Sequence, residues 1–85
     1  MKSFHYRVAA EHGIHARPAG ALTKIAKKYA SQITMCCAQR ICDMKRLVSL
    51  MKLEVKQGEE ITISAQGPDE DQAVAELAAY IQTHL

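Results

Sequence analysis

Polar and apolar residues alternate from Phe4 to Ala10, with Phe4, Tyr6 and Val8 on one side and His5 and Arg7 on the other. A period of two sends successive side chains to opposite faces, so this stretch predicts a strand with one face buried. Glu11-His12-Gly13 breaks the alternation, and a different period follows. From Ala16 to about Tyr29, the apolar residues Ala19, Leu22, Ile25, Ala26 and Tyr29 recur at the spacing of one helix face. Arg17, Gly20, Lys24, Lys27 and Lys28 fall on another stripe of the same helix. Gln32–Cys37 and Arg40–Asp43 read as two short strands joined through Ala38-Gln39, which lacks the Asn-Gly pair of the favoured tight turns. With that two-residue loop, Met35 lies opposite Cys42, Ile33 shares their face, and Cys36 points to the other.

Met44 to about Leu53 gathers Leu47, Val48, Leu50 and Met51 into a short helical register, with Arg46, Ser49 and Lys52 as its polar positions. Glu60–Ala65 alternates strictly and predicts a further strand. Asp69 with Gln72 fits a capping pair, and Glu70 and Asp71 suit the positive end of a helix dipole. The helix they open carries Ala73, Val74, Leu77, Ala78 and Ile81 on one side. The order β-α-β-β-α-β-α with one-sided strands predicts an α+β fold over residues 1–85: a four-stranded antiparallel sheet with three helices on one face.

Composition narrows the function classes. The chain's 85 residues suffice for one domain with a modest core, and no apolar run approaches the ~18 residues of a membrane span. The start of the chain, Met1-Lys2-Ser3-Phe4-His5, lacks an apolar targeting core, so secretion is not indicated. Three cysteines, an odd number, then read as reduced thiols in a cytoplasmic protein. Cys36, Cys37 and Cys42 do not predict a metal site, because no fourth ligand has suitable spacing and a hairpin does not converge three sulfurs. No metal and no cofactor is expected. The net charge of +2 hides an asymmetry: residues 1–56 hold all 11 Lys and Arg against three acids (+8), and residues 57–85 hold six acids and no base (−6). Such a dipolar chain can steer its basic face onto an acidic partner. Nucleic acid is a poor fit, since no aromatic residues interleave the basic stripe and no recognition motif accompanies it.

The chemistry concentrates in Gly13-Ile14-His15-Ala16-Arg17-Pro18-Ala19, where the strand pattern gives way to the first helix. Pro18 is tolerated in the first helical turn, where its missing N–H has no intrahelical partner. His15 therefore falls at or beside the N-cap, with Arg17 in the first turn and free backbone N–H groups nearby. A helix N-terminus attracts anions, and its positive end suits a neutral, nucleophilic ring nitrogen. If that nitrogen took a phosphoryl group, the same N–H groups and the Arg17 fork would hold the new charge.

The chain as a whole resembles the HPr family, the phosphocarriers of the bacterial sugar phosphotransferase system. Gly13 to Ala19 looks like that family's active-site signature, and Gln57-Gly58 with Ile61-Thr62-Ile63-Ser64-Ala65-Gln66-Gly67 resembles its last strand. The resemblance implies an open-faced β-sandwich and a carrier rather than an enzyme. His15 would accept a phosphoryl group from enzyme I, through Nδ1, and yield it to enzyme IIA, with Arg17 supporting the phosphate. Gly20, Lys24, Lys27, Leu47, Val48 and Met51 fall where members of the family contact partners. Some members carry a kinase-targeted serine at the position held here by Arg46, so no such regulation is expected. His12 also departs from the small polar residue usual at its position. A cytoplasmic monomer without membrane insertion is expected. Two alternatives stand beside the sugar carrier: a carrier in nitrogen-related or regulatory phosphotransfer, and an HPr-like binding module independent of phosphotransfer.

Overall fold

The computed structural model describes residues 1–85. Its elements run β1 (Lys2–Arg7), α1 (Ala16–Ala26), β2 (Gln32–Cys37), β3 (Arg40–Asp43), α2 (Leu47–Lys52), β4 (Glu60–Gln66) and α3 (Glu70–His84). The four strands form one sheet in the order β1-β4-β2-β3, antiparallel at every pairing. The strictly alternating β4 is an inner strand, and Ile61, Ile63 and Ala65 on it are fully buried. Ile33, Met35 and Cys37 of β2 join them, whereas Thr34, Cys36, Thr62 and Ser64 point to the open face. The helices cover the apolar side: α1 packs on α2 and α3, and α3 lies against β1 and β4. Ala19, Leu22, Ala26, Leu50, Ala73, Leu77 and Ile81 complete a single apolar cluster. The expected α+β architecture is the one observed.

The register agrees in detail at the β2–β3 hairpin. Met35 pairs with Cys42 and Cys37 with Arg40, which leaves Ala38-Gln39 as the connection. In place of the absent Asn-Gly, Ala38 takes a left-handed φ of 57°. An L-residue with a Cβ pays a steric penalty there.

Four features differ from the expected ones, each because of a contact with another segment of the chain. The first strand ends at Arg7 rather than Ala10, because the Ala9 and Ala10 N–H groups turn to donate to the Leu85 carbonyl at 2.6 and 2.7 Å. The first helix ends at Ala26 rather than Tyr29, whose phenol instead donates to Glu76. Met44 belongs to the core and not to α2; its N–H donates to the Ile33 carbonyl at 3.0 Å, continuing the β2–β3 contact. Finally, Asp69 is the N-cap of α3, but its side chain makes no cap hydrogen bond and forms no pair with Gln72. Its carboxylate accepts from the Ala30 and Ser31 N–H groups at 2.8 and 2.9 Å, and from the Ser31 hydroxyl. Three donors in the α1–β2 turn outcompete one helical N–H, and they hold the Asp69 carboxyl below its usual pKa, the Ser31 hydroxyl most of all.

Candidate functional site

The loop from β1 to α1 is pinned before it reaches His15. Gly13 sits at φ 61°, and a Cβ there would lie 2.2 Å from the Val55 carbonyl oxygen. That same oxygen accepts the Ile14 N–H at 3.1 Å, and the Ile14 side chain is buried. The loop thus lies flush on the segment between α2 and β4. His15 follows in an extended conformation (φ −95°, ψ −172°) as the N-cap of α1, and its carbonyl receives the Ala19 N–H at 3.0 Å. The imidazole is exposed and makes no cap hydrogen bond. The first turn contains no acidic residue. The N–H groups of Ala16 and Arg17 have no acceptor within the chain, and buried Pro18 has no N–H to satisfy. Unpaired donors and the positive end of the helix therefore lie at the residue that carries the imidazole, with exposed Arg17 in the first turn after it.

None of the four surface hollows includes His15 or Arg17. A convex, open site cannot surround a small substrate or exclude water from it. It can present a nucleophile to another protein.

The remaining residues expected at the site lie on α1 and α2, which pack together. Arg17, Lys24 and Lys27 are exposed and form no ion pair. Other bases are engaged by the acidic C-terminal third: Lys28 with Glu76 at 2.6 Å, Arg40 with Glu59 at 3.5 Å and Lys2 with Asp71 at 3.7 Å. Lys28 thereby leaves the free stripe, and it holds the Glu76 carboxyl below its usual pKa. The space where a Gly20 Cβ would stand is open, with no atom within 4 Å. On α2 only Leu50 is buried, and Leu47, Val48 and Met51 are 41%, 65% and 41% exposed. Apolar side chains so exposed on a short helix, beside unpaired lysines, have the composition of a docking face. Arg46 is the N-cap of α2, with its guanidinium 3.7 Å from the Asp43 carboxylate.

The cysteines stay apart from this site. Cys37 and Cys42 are buried on the helix side of the hairpin, and burial pushes both thiols above their ordinary pKa. Cys36 is half-buried on the opposite face. No group of three or more His, Cys, Asp or Glu side chains is arranged to hold a metal. No helix is long and apolar enough to cross a membrane.

One neighbour of His15 was not assigned from the sequence. The His12 and His15 rings stand edge to face, with centroids 6.0 Å apart and planes at 86°. The signal was the two imidazoles three positions apart, but only the left-handed turn at Gly13 folds them onto one side.

Fold and site together define a small open-faced α+β sandwich with an exposed histidine at a helix N-terminus. The family model for the PTS HPr component phosphorylation site matches residues 2–83. Over 83 residues the chain is 41% identical to the phosphocarrier protein HPr of Haemophilus influenzae, covering 98% of both chains. Among solved structures it is similar to the histidine-containing phosphocarrier protein of Mycoplasma (TM-score 0.94, 34% identity, 96% of this chain and 93% of that one). It also resembles Crh of Bacillus subtilis, a catabolite repression protein described as a swapped dimer (TM-score 0.78, 34% identity, 94% and 92% covered). The chain belongs to the HPr family of phosphocarrier proteins of the phosphotransferase system.

Proposed function

We propose that residues 1–85 work as one phosphoryl-carrying unit, with His15 accepting the group from enzyme I and passing it to an enzyme IIA. The observation that carries this reading is the exposed His15 imidazole at the α1 N-terminus, beside unpaired N–H groups and Arg17. A ring nitrogen of His15, by family resemblance Nδ1, attacks the phosphorus of the donor's phosphohistidine. The new N–P bond forms as the donor's N–P bond breaks, and the donor imidazole leaves. The Ala16 and Arg17 N–H groups and the Arg17 guanidinium receive the phosphoryl oxygens. Lys24 and Lys27 attract acidic partner surfaces, and Leu47, Val48 and Met51 with the open surface at Gly20 give the contact its apolar part.

The partners supply the positioning and water exclusion that the convex site lacks. The proposed location is the cytoplasm, where three unpaired cysteines stay reduced. The working unit is proposed to be the monomer, since α1 and α2 must both stay open to partners. Arg46 adds positive charge beside the docking face and cannot accept a phosphate, so the carrier is constitutively available. Arg46→Asp should slow phosphorylation by enzyme I; an unchanged rate would refute that role.

The central test is incubation with phosphoenolpyruvate and purified enzyme I, read by intact mass. One acid-labile, base-stable phosphoryl group is expected, and His15→Ala should abolish it. Undiminished labelling of His15→Ala would overturn the assignment.

A further inference from the structure

Of the four histidines, two are held by contacts within the chain. His5 Nδ1 meets the Thr62 hydroxyl at 2.8 Å, and His84 stacks on Tyr80 with its Nδ1 at 3.1 Å from the Tyr80 carbonyl. The other two, His12 and His15, have no hydrogen-bond partner in the chain and face each other. At a centroid separation of 6.0 Å the two rings are edge-to-face neighbours. A turn of the His12 ring from that position brings its N–H within reach of the oxygens of a phosphoryl group carried on His15, at the ~2.8 Å of a charge-assisted hydrogen bond. Both rings are exposed, so His12 can turn to meet that group without disturbing the core.

The charged groups of the neighbouring segments are few. Glu11 precedes His12 in the loop, Arg17 lies on α1, Glu54 and Lys56 flank the Val55 carbonyl on which Gly13 rests, and the end of α3 brings His84 and the Leu85 oxygen that accepts the Ala9 and Ala10 N–H groups to the same loop. The arrival of about −1.5 to −2 charges on His15 is then the largest electrostatic change His12 experiences. Among these groups, an imidazole is the one whose unperturbed titration falls between about pH 5 and 8.

We propose that His12 is a proton-coupled positioning residue for the phosphorylated site: it takes up a proton when His15 is phosphorylated and donates a hydrogen bond to the phosphoryl group. The inference rests on His15 being the phosphoryl acceptor. Linkage makes the coupling reciprocal. Phosphorylation of His15 raises the pH at which His12 loses its proton, and protonation of His12 makes the carrier hold its phosphoryl group more firmly. The readiness to pass the group on then rises with pH through the His12 titration. Arg17 supplies a charge that does not vary over this range.

The test is an NMR titration of the His12 ring in the free protein and in protein kept phosphorylated by phosphoenolpyruvate and enzyme I. Intact mass measures the phosphoryl content in parallel. An upward shift of about one pH unit in the phosphorylated form, a tenfold change in proton affinity, is expected. The equilibrium of phosphoryl exchange with enzyme I should favour the carrier more at pH 6 than at pH 8, and His12→Asn should flatten that dependence. A protein phosphorylated on His15 in which His12 titrates at the same pH overturns this inference alone, as do matching pH profiles for parent and His12→Asn. A protein that gains no phosphoryl group, or gains it on His12, overturns the carrier assignment as well.

Discussion

Gly13→Ala should dislodge the loop that carries His15, and its effect follows from the contacts around Gly13. At φ 61° the added Cβ lies 2.2 Å from the Val55 carbonyl oxygen and 2.8 Å from the Lys56 Cα, both of them backbone atoms. The left-handed conformation alone costs an alanine about 1 kcal/mol. The clash then forces the loop off the segment after α2, breaking the Ile14 N–H bond to Val55, for about 1 kcal/mol more. Partial exposure of Ile14, now buried, adds about 1–2 kcal/mol. The total of about 3–4 kcal/mol is a large share of a stability of about 4–13 kcal/mol for a chain of this length. At about 4–8 °C per kcal/mol, Tm should fall by about 12 °C or more.

Gly20 provides the contrast within the same region. It lies in the α1 interior, where a Cβ has nothing within 4 Å, so Gly20→Ala should gain helix stability of about 0.5–1 kcal/mol and raise Tm by about 2–8 °C. Thermal unfolding followed by circular dichroism would measure both variants, and intact-mass kinetics with enzyme I would report whether the displaced loop still presents His15. A Gly13→Ala protein that melts within a couple of degrees of the parent, and is phosphorylated as fast, would refute the pinning argument.

Four further outcomes follow from the structure. Arg17→Ala should slow phosphotransfer with an unchanged Tm, and Lys27→Glu should raise the KM for enzyme I more than it lowers kcat; a KM insensitive to salt would argue for a wholly apolar contact. In the native protein a thiol reagent should label Cys36 quickly and Cys37 and Cys42 only on unfolding, because burial shields the latter pair and disfavours their thiolates; rapid modification of all three would contradict the hairpin register. The Asp69, Glu70 and Glu76 carboxyls all titrate below their ordinary values, so their contribution is complete above the unfolded carboxylate pKa of about 4 and is lost as pH falls through the lower folded values. Tm should therefore drop between pH 5 and 3, less steeply in Asp69→Asn, and an unchanged slope in that variant would count against the Ser31 contact.

The one-dimensional pattern was enough for the order of elements, the faces of β2 and β4, and the place of His15 at a helix start. These depend on periods of two and 3.6 and on a proline near the helix start, which are local properties of the backbone. The pairing of Met35 with Cys42 was legible too, because a two-residue connection leaves one register. Other features arise between segments distant in sequence. Met44 is core rather than helix because its N–H completes a contact with Ile33. Asp69 leaves its helix uncapped because the turn after α1 brings three donors to it. Of the basic residues, Lys28 is withdrawn by Glu76 on α3 while Lys24 and Lys27 stay free, a division that equal charges on one helix could not announce. The meeting of His12 with His15 belongs to the same class. It requires Gly13 to turn left-handed over the Val55 carbonyl, 42 positions further along the chain, so that two exposed imidazoles share one space.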